Sequence, residues 1–171
     1  AIGGCRLYPY ASYDDALFDV LRLSRGMSHK NAVAGLPHGG GKGVIIADPS
    51  QKTEAMFEAF GEAVNNLGGD YITAEDVNTD CDDALIMMRK TKHICGLPMN
   101  SGDPSPFTAR GVWQGIKATA KVALGSDDLN GVTIAVQGLG KVGYDLCRHL
   151  HKEGAKLIVA NRSNKAKLDQ A

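Results

Sequence analysis

The stretch Thr133-Ile134-Ala135-Val136-Gln137-Gly138-Leu139-Gly140-Lys141-Val142-Gly143 constrains this chain more than any other. A β-branched run enters a glycine-rich turn, and an amphipathic segment over 141–152 leaves it. A second apolar run at 155–160 completes a predicted βαβ unit. The glycines fall at G-x-G-x-x-G spacing. In a dinucleotide-binding turn the first permits the tight bend, the second lets backbone approach a pyrophosphate, and the third lets helix pack on strand. The first N–H groups of the helix are then free to meet phosphate oxygens. The spacing alone is a weak signal, because a strand-to-helix turn with no ligand also uses glycine. Its position between a strand and a helix gives it weight, so Gly138, Leu139, Gly140, Lys141, Val142 and Gly143 are candidate cofactor contacts. The second strand of such a unit commonly ends in an acid that binds the ribose hydroxyls. Here it ends in Asn161-Arg162-Ser163. Asn161 is the candidate at that position. The lost negative charge and the adjacent arginine leave NAD and NADP both open, with NAD the expectation.

Upstream of this unit, helices alternate with short strands. Residues 12–25 place Ala16, Leu17, Val20 and Leu21 on one face, with Ser12 and Asp15 at capping positions and Gly26 as the expected stop. Residues 43–47 and 71–74 read as strands. Residues 53–67 put Met56, Phe57, Phe60 and Val64 on one helical face, and 80–90 put Ala84, Leu85 and Met88 inward. The segment 96–107 carries three of the six prolines and reads as an irregular connection, or hinge. A long helix over 108–124 follows, with Val112, Ile116, Ala120 and Ala123 on one face and Gly125 as its terminator. The pattern is α/β. It divides into residues 1–104, a linking helix region 105–130, and the start of a Rossmann-type dinucleotide-binding domain at 131–171.

Charge narrows the partners. The chain has 171 residues with 19 basic and 19 acidic side chains. Without a basic surplus or run, the drive to bind nucleic acid or anionic lipid is missing. No run approaches the roughly 18 apolar residues of a membrane span, and the first residues lack a signal-peptide layout. Cys5, Cys81, Cys95 and Cys147 are scattered, with no C-x-x-C pair, and read as free thiols in a reducing compartment. A soluble cytoplasmic protein is expected. The chain opens at Ala1 rather than Met and stops soon after the nucleotide motif, so a piece of a longer protein is expected too. No metal site is expected: His149 and His151 at i, i+2 face different sides of a helix, and His29, His38 and His93 lack ligand spacing. No serine sits in a nucleophile elbow.

Gly39-Gly40-Gly41-Lys42-Gly43 feeds the first of these strands. It is not a P-loop, because Leu36 occupies the first glycine position and Gly43 replaces the Ser/Thr that would hold magnesium. A lysine between glycines can be held close to a substrate, and burial tunes lysine for acid–base work. A solvated lysine on a loose loop is the plain alternative. Lys30 lies twelve residues earlier, and Glu75-Asp76 sits where the strand at 71–74 runs out, a usual place for site residues in an α/β sheet. Two cations and a carboxylate suit an α-amino acid: one lysine for its carboxylate, one for proton transfer at Cα, and an aspartate for its amino group. Asp76 could equally cap a turn.

These residues resemble the glutamate/leucine/phenylalanine/valine dehydrogenases over nearly the whole chain. The resemblance is carried by IGGCR at 2–6, GMSHKNAVAGLPHGGGKGVI at 26–45, TAEDVNT at 73–79, SGDPSPFTARGVWQGIKA at 101–118 and TIAVQGLGKVGYDLCRHLHKEGAKLIV at 133–159. It implies a partial substrate-binding and oligomerisation domain followed by the first βαβ of the cofactor domain. It also implies a homo-oligomer and oxidative deamination of an L-amino acid to a 2-oxo acid and ammonia, with hydride transfer to NAD(P). By the same resemblance Lys42 is the catalytic lysine and Lys30 grips the substrate carboxylate. Asp76 assists the amino group, and Thr108 lies in the segment that approaches the nicotinamide amide. Glutamate-specific members carry a lysine just before the Gly-Gly of the opening motif; here that residue is Ile2. Burying a distal carboxylate against it costs several kcal/mol. Ile2, Gly3, Met27 and Ala74 form an expected apolar wall for a leucine-like side chain. Two alternatives stand beside this reading: a catalytically silent oligomerisation or regulatory module of the same fold, and an NADP-dependent dehydrogenase of an unrelated small molecule.

Overall fold

A computed structural model describes residues 1–99 and 102–161. Contacts within the chain separate it into two compact units, 1–103 and 104–171, each α/β in character.

In the first unit, strand β1 (Cys5–Tyr8) alternates: Cys5 and Leu7 are buried, and Arg6 faces the other way. It pairs in parallel with β2 (Gly43–Ile46), in register from Cys5 opposite Gly43 to Tyr8 opposite Ile46. Parallel neighbours need a crossover, and helix α1 (Tyr13–Val33) supplies it. Ser12 caps α1 by accepting from the Asp15 N–H, as its sequence position predicts. Gly26 does not stop it, however. The helix continues to Val33 and unwinds at Ala34 and Gly35, where φ is +68°. A helical glycine costs about 1 kcal/mol. Bonds from the following loop offset this cost: the Gly40 N–H donates to Ser28 Oγ (3.0 Å) and Asn31 Nδ2 donates to the Gly39 carbonyl (3.2 Å). These tie down the last turns of α1. The expected apolar face is also shifted. Ala16 is buried, but Leu17 and Leu21 stand exposed, and the helix instead buries Asn31.

Helix α2 (Glu54–Asn66) is capped by Thr53 and buries Phe57 and Val64, with Met56 and Phe60 against the same core. Helix α3 (Cys81–Met88) is capped by Asp80 and turns Ala84 and Met87 inward. Met88, expected inside, is exposed, because the helix starts at Cys81 and its inward stripe falls one residue earlier. The segment expected as a strand at 71–74 makes only isolated parallel bridges, to Ile2, to Cys5 through Glu75, and to Ile94. Its N–H groups go to alternate flanks, Ile72 to the Ala1 carbonyl and Thr73 to the His93 carbonyl, so neither flank builds a continuous ladder. It still borders β1: the Cys5 N–H donates to the Ala74 carbonyl and the Leu7 N–H to the Val77 carbonyl. Asp76 therefore ends up beside Arg6.

The second unit begins with helix α4 (Ser105–Leu124), closed by Gly125 at φ +80°. Its inward face is Ala109, Trp113, Ile116 and Ala120; Val112 and Ala123, expected there, are exposed. Trp113 sets this rotation by stacking on His149, with ring centroids 5.1 Å apart. Strand β3 (Thr133–Gln137), helix α5 (Lys141–Lys152) and strand β4 (Lys156–Ala160) make the expected βαβ, with β3 and β4 parallel. Among the described residues no helix is long and apolar enough to cross a membrane, and all four cysteines are free.

Candidate active site

The glycine loop that carries Lys42 is held on both sides by backbone. A Cβ on Gly40 would fall on the Ser28 nitrogen and the Ser24 carbonyl of α1. A Cβ on Gly3 would fall on the Gly41 carbonyl. Only glycine allows segments to approach this closely. The Ile2 N–H donates to Gly39 O (2.8 Å), and the Gly41 N–H donates back to Ile2 O (3.1 Å). Tyr71 lies under the loop and donates its hydroxyl to Gly4 O at 3.0 Å. Lys42 therefore leaves a rigid cradle at the start of β2.

The Lys42 side chain is 6% exposed, and its Nζ lies 2.9 Å from Asp76 Oδ1. Asp76 Oδ2 accepts from Arg6 Nε at 2.8 Å. Arg6 Nη1 donates to Asp19 Oδ2 on α1 at 3.0 Å, and the Tyr10 hydroxyl donates to that same Asp19 oxygen at 2.5 Å. Thr79 fixes the backbone behind the carboxylate: its Oγ1 accepts from the Asp76 N–H (2.7 Å) and donates to Cys5 O (2.8 Å). Asp76 thus sits in a turn, and its carboxylate serves the two cations as well as the Val77 N–H.

Electrostatics follow from this geometry. Burial pushes the Asp76 carboxyl upward, yet the hydrogen bonds from Arg6 and Lys42, the Val77 N–H and the Lys42 charge outweigh it and hold it below the ordinary carboxylate range. Burial, reinforced by the Asp76 charge, pushes the Cys5 thiol up to about 12, so this cysteine is no nucleophile at neutral pH. Desolvation and the bond to Asp19 likewise raise Tyr10 to about 12, and it stays a donor.

Of the sequence candidates, Lys42 and Asp76 are brought together. Lys30 lies in the last turn of α1, exposed, and has no contact with that pair among the described residues. It lies on the same stripe of α1 as Asp19, three turns further on. Ile2, Gly3 and Met27 gather at the loop: Ile2 bridges to Gly40, Gly3 abuts Gly41, and Met27 backbone lies against Gly40. Ala74 stands apart, facing Gly96. Sequence reading missed Arg6, Asp19, Tyr10 and Thr79. The available signal was a lone charge, Arg6, between two inward residues of an apolar strand.

In the second unit the three glycines act differently. Gly138 has φ +95°, a conformation that favours glycine. Gly140 is the N-cap of α5, makes no side-chain cap and has nothing within 4 Å of where a Cβ would stand. A Cβ on Gly143 would fall on the Gly138 carbonyl. Leu139 is buried, and its N–H donates to Asn161 Oδ1 at 3.4 Å. Val142 packs against the core. Lys141 opens a first turn with no acidic residue, which leaves a positive helix end beside open space. That combination fits a dinucleotide pyrophosphate. Thr108 is exposed in the first turn of α4, and its hydroxyl donates to Pro104 O at 3.1 Å. Arg162, read as a cation that leaves NADP open beside NAD, lies outside the described residues. Among those described there is no His/Cys/Asp/Glu group able to hold a metal ion.

The first unit thus holds a buried lysine on a glycine loop, and the second a βαβ with dinucleotide-type glycine spacing. Known proteins resemble the chain as follows. Residues 1–93 match the family model of the Glu/Leu/Phe/Val dehydrogenase dimerisation domain. The chain is 53% identical to leucine dehydrogenase of Thermoactinomyces intermedius over 175 aligned positions, covering all of this chain and 48% of that protein. It is 56% identical to leucine dehydrogenase of Geobacillus stearothermophilus, over 94% of this chain and 45% of that one. The crystal structure of L-tryptophan dehydrogenase from Nostoc punctiforme superposes with a TM-score of 0.71 at 43% identity, over 99% of this chain and 48% of that one. The chain belongs to the Glu/Leu/Phe/Val dehydrogenase family. It spans about half the length of the curated relatives it matches.

Proposed function

We propose that the protein containing this chain catalyses oxidative deamination of an apolar, leucine-like L-amino acid to its 2-oxo acid and ammonia. The observation that carries this reading is the buried Lys42 ammonium, 2.9 Å from Asp76 on a loop that cannot shift. The nicotinamide cofactor, when bound, accepts the hydride leaving the substrate Cα. Gly138 to Gly143 and the start of α5 would hold its pyrophosphate, with Thr108 toward the nicotinamide amide.

The chain's own residues supply the rest. Lys30 binds the substrate carboxylate as a point charge. The substrate amino group competes for Asp76, which then serves two ammonium groups at once. Like charges at such range favour release of one proton. Once hydride loss has left an iminium carbon, Lys42 takes a proton from the water that attacks Cα and passes it to the amino nitrogen; ammonia then departs as the new hydroxyl gives its proton to Lys42, leaving the 2-oxo acid. Ile2, Gly3 and Met27, gathered at the glycine loop, present an apolar wall, with Ala74 to one side near Gly96. At Ile2 no cation is available to offset a distal carboxylate, which disfavours glutamate. Leucine is preferred over tryptophan in this reading because this chain is 53% and 56% identical to two leucine dehydrogenases, against 48% to the L-tryptophan dehydrogenase of Nostoc punctiforme.

NAD is the cofactor of the first reading. NADP is the second, favoured by Asn161: its carboxamide oxygen faces the Leu139 N–H and carries no charge to repel a 2′-phosphate. The subunits assemble as a homo-oligomer through the first unit, whose α1 exposes Leu17, Phe18 and Leu21, and the free thiols suit the cytoplasm.

The test is a panel on the full-length protein: L-leucine, L-phenylalanine, L-tryptophan and L-glutamate, each with NAD and with NADP. Reduced-cofactor absorbance should rise fastest with leucine and NAD and stay at background with glutamate. A folded protein that turns over none of them would support the silent module instead.

A further inference from the structure

We propose that Arg6 is a positioning residue for the Lys42–Asp76 centre: it ties Asp76 to Asp19, so that Asp76 Oδ1 is presented to Lys42. The proposal rests on the reading of Lys42 and Asp76 as the reactive pair. Each oxygen of the Asp76 carboxylate has its own cation, Oδ1 with Lys42 Nζ at 2.9 Å and Oδ2 with Arg6 Nε at 2.8 Å. Carboxylate rotation about its last torsion is otherwise soft. The Val77 N–H also reaches this carboxylate, and Arg6 on Oδ2 is what leaves Oδ1 for Lys42.

Arg6 is itself held from behind. Its Nη1 meets Asp19 Oδ2 at 3.0 Å, and Tyr10 closes on the same oxygen. A guanidinium can serve two carboxylates from one rigid plane, which an ammonium cannot. The chain of contacts runs from α1 through β1 to the segment after Glu75, and then to the glycine loop. Two cations and two carboxylates balance, so the centre carries no net charge before substrate enters. Arg6 also couples α1, the helix that bears Lys30, to the residue that meets the substrate amino group.

Asp76 must be ionised to act. The groups facing it are Arg6, Lys42, the Cys5 thiol and the Tyr71 phenol, with Asp19 behind Arg6. Burial holds both Cys5 and Tyr71 at about 12, so neither titrates near the acid limb. Removing Arg6 takes away a bond that favours the carboxylate, so the acid limb of activity moves to higher pH.

The experiment compares Arg6→Ala, Arg6→Lys and Asp19→Asn with Lys42→Ala in the full-length protein, measuring kcat and KM for L-leucine across pH. Arg6→Ala should lower kcat at least about tenfold and raise the acid limb by about one pH unit. Arg6→Lys should recover part of kcat, and Asp19→Asn, which loosens Arg6 but removes a negative charge, should lose a few-fold in kcat without raising the acid limb. If Arg6→Ala does not fold, the other two variants carry the test. An inactive Lys42→Ala beside Arg6 and Asp19 variants with normal kcat and acid limb, whatever their melting temperature, would overturn the proposal and spare the reactive pair. A fully active Lys42→Ala would overturn both.

Discussion

Two glycine-rich turns organise this molecule, and they use glycine for opposite reasons. At Gly39–Gly43 the space beside the turn is filled by the protein itself, so that a Cβ at Gly40 meets α1 backbone. At Gly138–Gly143 the space beside Gly140 is open to 4 Å, while Gly143 is closed by Gly138 O. The first turn immobilises a side chain, Lys42. The second leaves room beside Gly140 at the N-terminus of α5. A sequence shows glycine in both places, but only packing tells a clamp from a vacancy for a ligand.

The contrast can be broken by adding one methyl group at a time. Gly40→Ala should be the most damaging, since three backbone atoms of α1 stand in the way; a loss of about 2–3 kcal/mol should appear as a lower denaturant midpoint. Gly143→Ala should cost somewhat less, about 1–2 kcal/mol, because a single carbonyl must yield, and cofactor affinity should fall with it. Gly140→Ala sharpens the comparison. Its backbone is unstrained at φ −72° and its surroundings are empty, so stability should change by less than about 0.5 kcal/mol. Cofactor titration should nevertheless weaken about tenfold if a pyrophosphate approaches there. An unchanged affinity would remove the nucleotide reading of that turn.

A smaller effect separates the units by pH. Asp76 in the first unit has a folded pKa held below its unfolded value. It therefore contributes stability that is fully present above the unfolded carboxylate pKa and lost as pH falls through the lower folded value. Asp76→Asn in the full-length protein should therefore be less stable than the unmodified protein above that window, and its stability should fall less steeply with pH through it.

Much of the frame was legible because it depends on local chemistry. Ser12 and Gly125 mark helix ends by side-chain and left-handed capping, and the structure places them there. The β3–α5–β4 unit was equally plain. Where the reading failed, a distant contact decided. Gly26 could not end α1 because Ser28 and Asn31 are bonded to a loop about ten residues later. The face of α4 turned on Trp113 meeting His149, a pairing that periodicity within one helix does not contain. At the site, Lys42 and Asp76 stood out by their glycine and strand-end settings. Arg6 did not, since its role comes from pairing with residues thirteen and seventy positions away.

The most direct measurement is turnover of L-leucine by Lys42→Ala in the full-length protein, with folding and NAD affinity checked alongside. A loss of kcat of about 10²- to 10⁴-fold with NAD binding intact is the expected result. Deamination at the unmodified rate would contradict the central claim that the buried Lys42–Asp76 pair carries the chemistry.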